Sequence, residues 1–208
     1  MRPASRLLAS IGRWQLPEQR REKLVRDAQQ SAPRLFLRKT QTGRLYVGTA
    51  HSGVFISDDG GRTWERPKPN VPHLGTASIL VDADGVLVGT VPASLFRAHG
   101  DGWEELQAPR LAIGSSSFPP NPELGARTRC LAADPSHAGF LYAGIEVGGM
   151  LVSEDGGTTW EPANDGLTDP DVHEVSASRG TAGLAHAACG EEGLLGVRRK
   201  SREVRLPG

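Results

Sequence analysis

The sequence is poor in cysteine, in aromatic residues and in long apolar runs, and its formal net charge is zero. With only Cys130 and Cys189, a disulfide-rich scaffold is excluded and a reducing compartment is favoured. No apolar run has the length of a membrane span, and the short, interrupted run near the N-terminus is unlike a secretion signal. We therefore expect a soluble, cytoplasmic protein with no membrane span.

The zero net charge conceals two basic ends and an acidic middle. Residues 1–39 carry ten Lys/Arg and three Asp/Glu, and residues 198–208 carry five Lys/Arg and one Asp/Glu. The residues between them carry nine Lys/Arg and twenty Asp/Glu. This balance gives no support for a nucleic-acid-binding protein. Because acidic residues interrupt the N-terminal basic run, we expect the ends to pack on the acidic body; an anionic partner is the alternative.

Glycine and proline are abundant, at 26 and 15 residues, and helical periodicity is almost absent after the first segment. This composition predicts a turn-rich, mostly β chain. The exception is LPEQRREKLVRDAQQ, which predicts a short helix with proline in its first turn. We therefore assign residues 1–33 to a basic, partly helical lead-in and residues 34–208 to the main domain.

An internal repeat organises the main domain. The segments 44–67 and 140–163 align without gaps and share eleven of twenty-four positions, including SDDGGRTW and SEDGGTTW. A third copy at 85–106 keeps the tryptophan with a shorter turn, and a fourth at 184–205 keeps only the apolar spacing. Each copy predicts short antiparallel strands, LYVGT and GVFIS in the first, with an upstream strand and a further strand opened by the tryptophan. Four such units must pack face to face to bury their apolar surfaces.

The repeated octapeptide is predicted to be a structural turn. Its serine and aspartate can bond backbone N–H groups inside the turn, and its glycines adopt conformations that other residues avoid. The tryptophan then fills the space between units. The positions concerned are Ser57, Asp59, Gly61, Trp64, Ser153, Asp155, Gly157 and Trp160.

These octapeptides resemble the Asp-box of bacterial neuraminidase (BNR) repeats, which occur in sialidases, inverting xyloglucan hydrolases, sortilin-type receptors and photosystem II assembly-factor-like proteins. The resemblance implies an all-β fold, a small or incomplete β-propeller of about four four-stranded blades after a short helical lead-in. The blades are expected at about 34–69, 74–107, 127–165 and 172–208. In this family the Asp-box lies on the outer edge, so the resemblance places ligands at the opposite, loop-bearing face.

The resemblance does not support a sialidase. That activity would need a tyrosine nucleophile. Tyr46 and Tyr142 share one column of the repeat with Leu87, so we expect both tyrosines to be core residues. A xyloglucanase-like, inverting hydrolase needs two carboxylates that flank the bond. Loop carboxylates could supply them, and the weak catalytic candidates are Glu146, Asp171 and Glu191.

The loops of the expected ligand face also carry histidines. The binding-face candidates are His51, His73, Glu146 and His173. A metal site would require these residues to converge, which the sequence does not indicate, so we expect no metal and no cofactor. The longest insertion, QAPRLAIGSSSFPPNPELGAR, predicts either a binding loop or a surface connector.

The sequence favours a non-catalytic propeller scaffold that binds a protein or carbohydrate partner through its loop face. The alternative is a glycoside hydrolase whose cleft needs a partner chain. A clustered carboxylate pair on the loop face would favour the hydrolase, and scattered carboxylates would favour the binder. If four blades do not close into a ring, exposed sheet faces predict a homo-oligomer.

Overall fold

A computed structural model describes residues 35–73, 75–100, 102–106, 126–178, 184–190 and 193–198. These residues form strands, turns and loops, and no helix occurs among them. The predicted helical lead-in, most of the long insertion and Glu191 lie outside the described residues. No helix in the described ranges is long and apolar enough to cross a membrane.

In the described residues, fourteen strands form four antiparallel sheets, one after another along the chain. The first sheet contains β1 (Leu35–Lys39), β2 (Leu45–Thr49) and β3 (Gly53–Ser57). The second contains β4 (Gly75–Asp82), β5 (Gly85–Val91), β6 (Leu95–His99) and β7 (Gly102–Leu106). The third contains β8 (Thr128–Ala133), β9 (Leu141–Ile145), β10 (Gly149–Ser153) and β11 (Glu161–Pro162). The fourth contains β12 (Val172–Ala177), β13 (Leu184–Cys189) and β14 (Gly193–Arg198).

The strand order confirms the all-β fold and the four repeated sheets that the sequence predicts. Each sheet pairs its strands in chain order, as expected for a meander. The tryptophan-opened strand of the second sheet, β7, has the predicted extent, whereas those of the first and third sheets are shorter than predicted. In the first sheet the outermost strand is reduced to a bridge between Ile56 and Glu65, and β11 begins one residue after Trp160. The turn hydrogen bonds of the preceding octapeptide hold the backbone around this point and leave few residues for the ladder.

The core of the described part of the chain consists of three apolar clusters, each between two successive sheets. Strand residues alternate between the two faces of a sheet, so neighbours in sequence contribute to different clusters. Tyr142 packs towards the fourth sheet, whereas Leu141 and Ala143 pack towards the second. Tyr46 and Leu87 occupy the same column of the repeat. Tyr46 packs towards the second sheet, and Leu87 packs towards the third sheet. Because β9 and β10 are buried on both faces, the third sheet is interior to the stack.

Among the described residues, no core cluster joins the first sheet to the fourth. The tryptophans of the repeat differ in whether they pack between two sheets. Trp160 is 6% exposed and packs between the second and third sheets, and Trp103 packs between the first and second. Trp64, in the first sheet, belongs to none of these clusters and is only partly buried. Apolar clusters of the described residues thus join each sheet to the next, from the first to the fourth.

Candidate functional site

The two Asp-box turns have nearly the same hydrogen bonds. Ser57 Oγ accepts from the N–H of Gly61 at 2.8 Å and donates to Asp59 Oδ1 at 2.9 Å. Asp59 also accepts from the backbone and hydroxyl of Thr63, both at 2.8 Å. These hydrogen bonds lower the pKa of Asp59 to about 2. The bond from the backbone N–H of Thr63 contributes most, and those from the side-chain hydroxyls contribute less.

The second turn repeats these serine, glycine and threonine bonds at the equivalent positions. Gly157 N–H donates to Ser153 Oγ at 2.8 Å, and Thr159 donates through N–H and hydroxyl to Asp155 at 2.8 and 2.6 Å. The Thr159 hydroxyl makes the largest contribution to lowering the pKa of Asp155. Because these aspartates already accept several bonds within their own turns, the turn geometry accounts for the octapeptide without any ligand.

The opposite ends of the strands carry a different group of side chains. The β9–β10 turn supplies Glu146, and the segment entering β12 supplies Asp171 and His173. One ligating atom from each of these three residues lies within 4.8 Å of the other two. Three of the residues that the sequence places on the loop face are thus brought together between the third and fourth sheets.

Glu146 is held by two arginines of its own sheet. Arg129 Nη1 donates to Glu146 Oε1 at 2.5 Å, and Arg127 forms an ion pair with Glu146 Oε2. All three side chains are mostly buried, with 18–23% of each exposed. The ion pairs therefore fix the carboxylate on the wall of the site. We call Arg127, Arg129, Glu146, Asp171 and His173 the loop-face cluster.

Asp171 and His173 form the other wall of the cluster. His173 Nε2 lies 3.0 Å from Asp171 Oδ2, and the two side chains are about one third exposed, at 36% and 34%. The other carboxylate oxygen, Asp171 Oδ1, is buried and has no hydrogen-bond partner among the described residues. A buried acceptor without a donor is uncommon and costs free energy. The site therefore contains one acceptor that a bound group could satisfy.

Backbone hydrogen bonds set the distance between these walls. Gly149 N–H donates across the sheet boundary to the carbonyl of Pro170 at 2.9 Å, and Gly190 N–H donates to the carbonyl of Asp171 at 3.1 Å. Val147, next to Glu146, has a positive φ of 58°, which is unusual for a β-branched residue. Strained backbone of this kind costs about 1–3 kcal/mol and persists only where the surrounding structure holds it.

Of the other predicted candidates, His51 and His73 do not join the cluster, and Glu191 lies outside the described residues. His51 is exposed in the β2–β3 turn, and His73 packs edge-to-face on Phe96 with ring centroids 6.0 Å apart. Sequence reasoning missed Arg127 and Arg129. The available signal was a pair of arginines two residues apart where the chain enters β8, because β8 pairs with β9 and the turn after β9 carries the acidic Glu146.

Comparison with known proteins identifies the repeat. The family model for the BNR/Asp-box repeat matches residues 55–66, the first octapeptide and its flanks. The chain therefore contains a BNR/Asp-box repeat. No curated protein sequence matches it.

Solved structures share the fold of this chain. The GH74 xyloglucanase from Xanthomonas campestris is 19% identical, with a TM-score of 0.55 over 74% of this chain and 25% of the other. The extracellular domain of the one-component system BT4673 from B. thetaiotaomicron is 18% identical, with a TM-score of 0.55 over 81% and 22%. YCF48 from Cyanidioschyzon merolae is 13% identical, with a TM-score of 0.52 over 80% and 51%. The chain is thus similar to β-propellers and spans about half or less of each structure's length.

Proposed function

We propose that this BNR propeller is a non-catalytic scaffold that binds a protein or carbohydrate partner through its loop face. The observation that carries the proposal is the environment of Glu146. Arg127 and Arg129 engage its two carboxylate oxygens, and Asp171 lies within 4.8 Å. In an inverting glycosidase the two carboxyl groups are about 6.5–9.5 Å apart, which leaves room for the attacking water. The cluster is too narrow for that reaction and suits recognition by hydrogen bonds and charge.

The unpartnered acceptor in the cluster supports the same proposal. A ligand hydroxyl or amine would donate to Asp171 Oδ1, which has no donor among the described residues. Arg127 and Arg129 remain partly exposed and could donate to acceptors of the same ligand. Both sugars and protein surfaces carry such groups.

A second candidate is a glycoside hydrolase of the xyloglucanase type whose cleft is completed by a partner chain. The observation in its favour is that two carboxylates, Glu146 and Asp171, are clustered on the loop face. Hydrolysis would require the cluster to open, so that Glu146 leaves its arginines and a water enters between the carboxyl groups.

One experiment separates the two candidates. Purified protein is tested for binding to a glycan panel and, in the same samples, for release of reducing ends from β-glucans. Binding without turnover that weakens at least tenfold in Asp171→Asn supports the scaffold. Turnover that Glu146→Gln abolishes supports the hydrolase. Glu104→Gln, an exposed strand substitution outside the cluster, is the matched control. Silence on every glycan leaves a protein partner as the scaffold's ligand.

Assembly is a separate part of the proposal. We expect the protein to self-associate, because the first and fourth sheets share no core cluster among the described residues and Trp64 is only partly buried. Light scattering of the full chain tests this expectation. A monodisperse monomer that unfolds in one cooperative step would contradict it.

A further inference from the structure

We propose that Glu146, Asp171 and His173 bind a divalent first-row transition-metal ion, with Zn²⁺ as the best fit. This inference concerns the loop-face cluster but does not rest on the proposed function, because it requires no organic ligand. It reverses the expectation from the sequence, which gave no reason for these three residues to converge.

The donor set suits such an ion. Two carboxylate oxygens and one imidazole nitrogen are ligands that Zn²⁺ accepts, whereas Ca²⁺ and Mg²⁺ prefer six or more oxygens. Ligand atoms around a tetrahedral Zn²⁺ are about 3.4 Å apart, given metal–ligand distances of about 2.1 Å. His173 Nε2 and Asp171 Oδ2 are 3.0 Å apart, and all three ligating atoms fall within 4.8 Å. Small side-chain movements would therefore complete the geometry.

The unpartnered oxygen of Asp171 is a second observation that points to a cation. Oδ1 is buried without a hydrogen-bond donor, although Oδ2 already faces His173. A carboxylate oxygen that is buried without a donor carries an uncompensated desolvation cost. Either a hydrogen-bond donor or a cation would reduce that cost. A metal ion bound by Asp171 could also be bound by the imidazole of His173, which lies 3.0 Å from Asp171 Oδ2.

Backbone hydrogen bonds hold the two ligand-bearing loops in place. The bond from Gly149 N–H to the Pro170 carbonyl joins the two loops that carry the ligands, and Asp171 N–H donates to Asp169 Oδ1 at 2.9 Å. Ligands on opposite sides of a sheet boundary are thereby fixed relative to one another. Preorganised ligands bind a metal more tightly because less conformational entropy is lost.

Arg127 and Arg129 modify the site. Ligating carboxylates are commonly held by outer hydrogen-bond partners, and the arginines hold Glu146 in that way. Their positive charges also repel a cation. Loss of an arginine would therefore have two opposing effects on metal affinity, so the test relies on the ligand residues themselves.

Three protein ligands leave a fourth position for water or for an oxygen of another molecule. The metal would therefore add an open coordination position to the loop face. If the scaffold proposal also holds, ligand hydroxyls could occupy that position; if it fails, metal binding would remain measurable by itself.

The test is titration of the full chain, freed of metal with chelator, with Zn²⁺ by calorimetry and with Co²⁺ by visible absorption. The expected result is one ion per chain, a d–d spectrum of low coordination number, and at least tenfold weaker binding in both Asp171→Asn and His173→Gln. His73→Gln, which alters a loop-face histidine outside the cluster, should leave the affinity unchanged.

Two results would overturn the proposal. One is the absence of Zn²⁺ and Co²⁺ binding by the wild-type chain. The other is binding that Asp171→Asn and His173→Gln leave unaltered, since the ion would then lie elsewhere. Circular dichroism of each variant guards against misfolding, and two independent ligand variants keep the test decisive if one of them fails to fold.

Discussion

The guanidinium group of Arg97, on the second sheet, donates a 2.8 Å hydrogen bond to the carbonyl of Gly156 in the Asp-box of the third sheet. The same side chain pairs with Asp82 at 3.0 Å, and both members of the pair are largely buried, with 13% and 6% exposed. The Asp-box of the third blade is therefore tied to its neighbour as well as closed on itself. At the equivalent Gly60 of the first sheet, a Cβ would have no described residue other than its chain neighbours within 4 Å.

Replacement of Arg97 by methionine should be strongly destabilising. It would leave Asp82 buried without its charge partner, and breaking a buried pair costs about 3–5 kcal/mol. The measurement is urea denaturation at neutral pH. Arg44→Met is the matched control, because the Arg44–Asp58 pair is exposed, at 47% and 65%, and exposed pairs contribute less than about 1 kcal/mol. Equal losses in the two variants would show that Arg97 does not link the blades.

The tryptophans of the repeat should differ in their contribution to stability. Trp160 is enclosed between the second and third sheets and donates from Nε1 to the carbonyl of Gly157 at 2.9 Å, so Trp160→Ala should cost about 3–5 kcal/mol. Trp64 is partly exposed and its Nε1 has no partner among the described residues. We expect Trp64→Ala to lower the unfolding midpoint by clearly less. A larger loss from Trp64 would indicate that its side chain is covered by another part of the chain or by a second copy.

The tryptophans also show what the sequence could and could not predict. The repeat alignment is sufficient to predict the sheets, the Asp-box turns and the column shared by Tyr46, Leu87 and Tyr142, because these depend on local spacing. It treats Trp64 and Trp160 as equivalent, yet their burial differs because burial depends on which sheet lies alongside. The sequence likewise places Glu146, Asp171 and His173 on one face but not within contact distance. Their separation depends on backbone bonds between sheets, such as that from Gly149 to Pro170.

Close packing between the third and fourth sheets makes Gly144 sensitive to substitution. A Cβ at this position would lie 2.4 Å from Cys130 Sγ and 2.7 Å from Val172 Cγ1. Gly144→Ala should therefore cost about 1–3 kcal/mol through overpacking. Gly102→Ala is the control, because its nearest neighbour would be Pro69 Cγ at an ordinary 3.6 Å. The prediction fails if thermal unfolding of the two variants is indistinguishable.

Cys130 should be unreactive in the folded protein. Burial, more than any nearby charge, raises the pKa of its thiol to about 12, and the thiolate is the reactive form. At pH 8 we expect a thiol reagent to label neither Cys130 nor the equally buried Cys189 until denaturant is added. Rapid labelling of Cys130 under native conditions would contradict the packing between the third and fourth sheets.

The Asp-box aspartates should make stability fall in acid. The pKa of Asp59 drops from its usual 3.8 to about 2 on folding, and that of Asp155 is also lowered. A lowered folded-state pKa stabilises the protein above the unfolded value, and this contribution is lost as the pH falls from about 3.8 towards about 2. Asp59→Asn and Asp155→Asn should therefore lower stability at pH 7 and flatten its decline between pH 4 and pH 2. Thr159→Val removes the hydroxyl donor but keeps the backbone donor, so it should have a smaller effect of the same sign. Urea denaturation at each pH measures these differences, and an unchanged acid profile in the double Asn variant would mean that other carboxylates govern acid unfolding.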